Sequence, residues 1–161
     1  MVEVKVAGLA IDERSKTPVV ILQEIQGARV LPIWIGPTEA GAIAMELAGK
    51  KFQRPLTHDL MKTIVVEALK VRVVRVVITE LRENTFYAKI FLARDKEIIA
   101  IDARPSDSIA LAIRAHSPIF VAPELLSNDR QPEPVSEEEK ARALQKHLRD
   151  MNPEDFGKFS L

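Results

Sequence analysis

Valines at positions 2, 4 and 6 alternate with Glu3 and Lys5, so the chain opens on a period of two, the mark of a strand with one buried face. Leu9 and Ile11 carry the pattern past Gly8. Asp12 to Pro18 reads as a turn, and the apolar runs Val19 to Ile25 and Ala28 to Ile35 meet at Gln26-Gly27 as a tight hairpin. From Thr38 the period lengthens: Ala42, Ile43, Ala44, Met45 and Leu47 make a helix apolar nearly all round, with Gly49 as its C-cap, a pattern that predicts burial. A basic connector, Lys50 to Leu56, leads to Thr57 as the N-cap of a second helix, where Leu60, Ile64, Val65 and Ala68 fall at helical spacing to about Leu69. Val71 to Leu81 and Phe86 to Ala93 are strands around a turn at Glu83-Asn84-Thr85. Ile98 to Ile101 is a further strand. It ends in a polar elbow, Asp102 to Ser108, where Ser106 reads as the N-cap of an apolar helix through Ile113, and Pro118 to Val121 is the last strand.

After Val121 the composition shifts. Ser127 to Val135 is rich in proline and polar residues, and Ser136 with Glu139 forms a capping box before Ala141, Leu144, Leu148 and Met151, a helix with one narrow apolar stripe. The expected organisation is a single α+β domain over residues 1–126, a linker over 127–135 and a C-terminal helical tail over 136–161. The domain should hold a largely antiparallel β-sheet system with two or three packed helices. Leu31 to Leu47 and Ile98 to Ile113 also echo each other, each running strand, Pro, hydroxyl residue, acid, then an Ala- and Ile-rich helix. The echo reads either as a duplicated strand-helix unit or as chance similarity of capping chemistry.

Composition narrows the class. The 161 residues, 47% of them hydrophobic, suffice for one core, and no run approaches the roughly eighteen uncharged apolar residues of a membrane span. The N-terminus alternates like a strand, unlike a signal peptide, so a soluble cytoplasmic protein is expected. Without cysteine there are no disulfides or thiolate metal sites, and a metal would need carboxylate, carbonyl, water or histidine ligands, a set suited to Mg²⁺ or Mn²⁺. The 29% of charged residues, mixed in sign, with few Asn and Gln, resemble thermophile composition. Net charge is zero, but Met1 to Val121 carries 17 Lys plus Arg against 14 Asp plus Glu, and the remainder 6 against 9. Nucleic-acid binding by so mildly basic a domain should be weak and salt-sensitive.

Phosphate loops, His-Glu-x-x-His and Gly-x-Ser-x-Gly are absent from the sequence, which leaves two polar elbows. In the first, Arg54 precedes Thr57-His58-Asp59, and a histidine beside an acid at a helix start serves as a general base or metal ligand, or simply fills an exposed first turn. In the second, Asp102 and Asp107 can hold a divalent cation while Arg104 clamps a phosphate, or the same groups form a salt bridge and cap a helix. Glu39 repeats the acid position of the elbows, where it complements the helix dipole or lines the same cleft.

Three blocks in order, Leu31 to Ala40, Arg54 to Leu60, and Ile101 to Ala112 with Pro118 to Val121, resemble the bifunctional nuclease domain family of bacteria and plants, named for activity on both RNA and DNA. The resemblance covers most of Met1 to about Leu126 and implies a nuclease. Chemistry, rather than the family, then assigns His58, Asp59, Asp102 and Asp107 to catalysis, with Asp102 and Asp107 on an Mg²⁺ or Mn²⁺ ion and Arg54, Thr57, Arg104 and Ser106 on phosphate. The contrasting class is a non-catalytic regulatory or scaffold module that dimerises and binds a small anion or a protein. A metal-assisted nuclease requires the acids to cluster around a metal-sized gap; the module does not. A homodimer or higher homo-oligomer is expected on either reading, because the apolar stripe of the tail needs something to pack on.

Overall fold

The computed structural model describes residues 1–128, so the expected tail and nearly all of the linker lie outside the described residues. Strands β1 (Val2–Ile11), β2 (Pro18–Glu24) and β3 (Val30–Trp34) form an antiparallel meander that leads into helix α1 (Pro37–Leu47). Helix α2 (Thr57–Lys62) passes directly into a π-helical turn, Thr63–Ala68. A second antiparallel meander follows, β4 (Arg72–Arg82), β5 (Thr85–Arg94) and β6 (Glu97–Ala103), and leads into α3 (Pro105–Ala115) and β7 (Ile119–Val121).

All seven strands share one sheet in the order β3-β2-β1-β7-β4-β5-β6. β7 is the seam between the meanders: Val121 pairs antiparallel with Val2, and Ile119 pairs parallel with Val76. The expected α+β class with a largely antiparallel sheet is what forms, the β4–β7 pair being the parallel exception. Each meander ends in a helix that begins with proline, Pro37 or Pro105, so the echo in the sequence has a counterpart in topology. Among the described residues no helix is long and apolar enough to cross a membrane.

Alternation along the strands sends Val20, Leu22, Val76, Ile78 and Val121 to one face, where they meet Ile43 of α1 and Ile109 and Leu111 of α3 in the main core. Val19 and Ile21 point the other way and join Ala10 and Val30 in a smaller cluster. The helices pack on each other as well, α3 against both α1 and α2.

Two expectations need correction. Helix α1 buries only Ala40, Ile43 and Met45, and Leu47 is 48% exposed, because a helix laid over α3 and the sheet covers one face. Its small residues serve close approach instead of all-round burial. Thr57 and Ser106 are not N-caps: Leu56 and Arg104 hold those positions, one and two residues earlier. Pro105 has a fixed φ that suits the first helical position, and that pulls the start of α3 forward. At α2, the backbone N–H of Leu56 donates to Asp59 Oδ2 at 3.0 Å, so the acid supplies the capping acceptor.

Candidate active site

The two elbows, 49 residues apart in sequence, meet where α2 packs on α3. His58, buried in the first turn of α2, places Nε2 3.0 Å from Oδ1 of Asp107 in the first turn of α3. A carboxylate accepts, so Nε2–H is the donor, and in the neutral ring Nδ1 keeps its lone pair. Nδ1 has no partner among the described residues. No fully enclosed side-chain nitrogen or oxygen there lacks one, so Nδ1 retains contact with solvent.

The other oxygen of Asp107 accepts from Arg104 Nε at 2.6 Å, and Arg104 Nη1 lies 3.1 Å from Glu39 Oε1. Glu39 and Asp107 occupy the same place in the Pro-x-acid turns that open α1 and α3. The two echoing acids therefore converge on one guanidinium, which still has three N–H donors without a partner among the described residues. Arg104 stands between two hollows. One of 330 Å³ runs along Met61, Val65, Ile101 and Asp107, and one of 280 Å³ opens beside Trp34, Glu39 and Ser106.

Asp59 turns away from this group. Its Oδ1 accepts from Arg114 Nε at 2.5 Å, and Arg114, whose side chain is 4% exposed, also donates at 3.0 Å to the carbonyl oxygens of Ala110 and Ala42. One buried guanidinium thereby ties α1, α2 and α3 together. Arg114 is a site-forming residue that the sequence reading missed. Its signal was a charge inside the otherwise apolar run of α3, which burial obliges to find a partner.

Asp102 and Asp107 both border the larger hollow, but strand alternation aims the Asp102 side chain away from it. In the register of β5 and β6, Ile90 pairs with Ile101 and Ala88 with Ala103 on the core face, so Asp102, opposite Lys89, projects from the other face of the sheet. Both oxygens of Asp107 are already engaged, and among the described residues no group of three His, Asp or Glu is placed to hold a metal. As paired here, Asp107 has no free oxygen for the Mg²⁺ or Mn²⁺ ion expected on Asp102 and Asp107. Of the expected phosphate ligands, Arg104 faces both hollows and buried Ser106 lines the smaller. Arg54 and Thr57 are exposed and make no side-chain hydrogen bond among the described residues.

Burial, the largest single influence, pushes the Asp107 carboxyl up, but the hydrogen bonds from Arg104 and His58 and their charges outweigh it, leaving the pKa below its ordinary value. For Asp59, burial likewise raises, and the Arg114 bond, the Leu56 N–H and nearby positive charge bring the net shift down. Both groups hold protons less tightly folded than unfolded. Their contribution to stability is therefore complete above the ordinary carboxylate pKa of 3.8 and is lost as pH falls through the lower folded values. Thermal melts should show the midpoint falling below about pH 4, less steeply in Asp59→Asn. An acid limb as steep in that variant as in wild type would remove Asp59 from the account.

Comparison with known proteins agrees with the resemblance drawn from the sequence. Residues 20–134 match the family model of the bifunctional nuclease domain. The chain is 38% identical over 165 residues to Uncharacterized protein Rv1829 of Mycobacterium tuberculosis, covering 97% of this chain and 98% of that protein. It is 30% identical over 107 residues to Bifunctional nuclease 1 of Oryza sativa subsp. japonica, and equally to the Bifunctional nuclease of Oryza minuta, covering 64% of this chain and 32% of each rice protein.

Proposed function

Because the chain belongs to the bifunctional nuclease domain family, we propose that it hydrolyses phosphodiester bonds in RNA and DNA at the His58–Asp107–Arg104 centre. The observation that carries this reading is the continuous chain of contacts from His58 through Asp107 to Arg104 beside two hollows. Asp107 fixes the tautomer and orientation of His58, whose Nδ1 takes the proton of the attacking hydroxyl or water and returns one to the leaving oxygen. Arg104 presents its spare N–H donors to the phosphate and to the charge that builds on it during transfer. Glu39, on the far side of the guanidinium, is a positioning residue. Asp59 belongs to the Arg114 pair and acts through the fold.

No step of this chemistry is routed through a metal, since His58 and Arg104 already engage both oxygens of Asp107. Purified protein should therefore cleave end-labelled RNA and DNA in EDTA, with binding that weakens steeply as salt rises. Cleavage restored from zero only by Mg²⁺ or Mn²⁺ would overturn this mechanism. Work in the cytoplasm is part of the same proposal, and so is homodimerisation, which is supported by exposed Leu60 and Ile64 on the α2 side and by exposed Ile98, Ile99 and Ile101 on edge strand β6. One observation favours the non-catalytic dimeric module that binds an anion or partner: two carboxylates face one guanidinium, and their surplus charge repels phosphate. Purified protein that leaves both polymers intact under every condition would select that module.

A further inference from the structure

Trp34, the chain's single tryptophan, closes β3 with 52% of its surface exposed, an unusual position for the largest apolar side chain. It is held there by its polar edge. The indole Nε1–H donates to Asp12 Oδ2 at 2.9 Å, while Asp12 Oδ1 accepts the backbone N–H groups of Arg14 at 2.9 Å and Ser15 at 3.0 Å. Those bonds, Ser15 first and then Trp34 and Arg14, bring the Asp12 carboxyl down to about 2, so the acceptor is charged near neutral pH. With the indole N–H satisfied by the protein, what Trp34 offers a ligand is the flat face of a ring fixed in orientation.

Trp34 borders the 280 Å³ hollow, which it shares with Gly36, Glu39, Asn84, Thr85 and Arg104. Asn84, at the tip of the β4–β5 hairpin with φ 57°, brings a carboxamide that can both donate and accept. Arg104 lies in the wall of both hollows, so Trp34 and the residue whose guanidinium meets phosphate border one and the same hollow. A flat face, an amide for a base edge and a cation for a phosphate are the parts of one nucleotide.

We propose that Trp34 is a stacking platform for an unpaired nucleobase whose neighbouring phosphate lies on Arg104, which makes single-stranded nucleic acid the substrate class. The proposal rests on the phosphodiesterase reading above and deepens it. In a duplex the base faces are covered by their neighbours, so only an unpaired base can reach the ring. Every base has such a face, and the platform accordingly accepts ribose and deoxyribose chains alike.

Tryptophan emission reports the contact directly, without interference from a second indole. Full-length protein is titrated with a phosphorothioate-linked eight-residue oligothymidylate, which keeps its charge and resists cleavage, and with a duplex of equal length. Binding is read in parallel by anisotropy of a labelled oligonucleotide. The single strand should quench Trp34 strongly and the duplex should not. Trp34→Ala should lower single-strand affinity about tenfold, with Trp34→Phe between the two and melting temperatures unchanged. Emission unaltered at saturating single strand, equal quenching by duplex, or undiminished affinity in Trp34→Ala would each overturn the platform. So would a Trp34→Ala variant that turns a dimer into a monomer with oligonucleotide affinity intact, since Trp34 would then be an interface residue. Cleavage of labelled RNA and DNA by wild type is scored separately. Cleavage without quenching leaves the nuclease and removes the platform; quenching without cleavage keeps the platform and removes the nuclease.

Discussion

Replacing His58 with alanine should lower cleavage of RNA and DNA alike by about a hundred- to ten-thousandfold, the range that positioned acid–base groups supply. The expectation follows from its bonding. Nε2–H is committed to Asp107 at 3.0 Å, which leaves Nδ1 as the ring's one available base. Alanine also deprives Asp107 of a partner inside the fold, so a loss of activity in that variant mixes chemistry with packing. His58→Gln separates them. Its amide N–H can still reach Asp107 and hold the α2–α3 contact, yet it cannot exchange a proton near neutral pH. Both variants should lose activity, and only alanine should lower the melting temperature appreciably. Initial rates with melts on the same samples decide it. A glutamine variant as active as wild type would remove His58 from the chemistry.

The second large effect is on stability. Arg114→Ala should cost about 3 kcal/mol, the low end of what is measured when one partner of a buried ion pair is deleted. Asp59 is one third exposed and can partly rehydrate, which keeps the figure at that end. The carbonyls of Ala42 and Ala110 lose their donor, and three helices lose their common tie. For a domain of this size the melting temperature should fall by about 10 °C or more. Arg114→Met, which fills the same volume without the charge, should recover part of the loss. Denaturant titration of the three proteins tests this. A change below about 0.5 kcal/mol, the ordinary range for surface substitutions, would show that the helices are held by apolar packing alone.

The parts of this architecture that are written locally were legible in the chain. Alternating Val2, Val4 and Val6, the β-branched run of β4 and the apolar run of α3 each carry their own period, and both elbows stand out as polar clusters at helix starts. What was not legible depends on partners far along the chain. Ile119 to Val121 gives no hint that it will lie between β1 and β4. Asp102 and Asp107 look like neighbours in sequence, but the strand's period of two turns Asp102 to the far face of the sheet, and only the register with β5 reveals which face that is. Asp59 and His58 are adjacent and go to different arginine-bearing groups, because α3 presents Asp107 and Arg114 two turns apart. The sequence shows the polar groups; the packing of α2 on α3 decides which of them pair.

The central claim is that one carboxylate, Asp107, assembles the centre by holding His58 and Arg104 at once. It is tested most directly by incubating highly purified wild-type protein and Asp107→Asn with end-labelled RNA and single-stranded DNA in EDTA, with melts of both proteins alongside. Asparagine preserves shape and one acceptor but not the charge that His58 and Arg104 face. The expected result is cleavage of both polymers by wild type and a rate at least about a hundredfold lower in a folded Asp107→Asn. Equal cleavage by the two proteins would contradict the account and place the active centre elsewhere on the molecule.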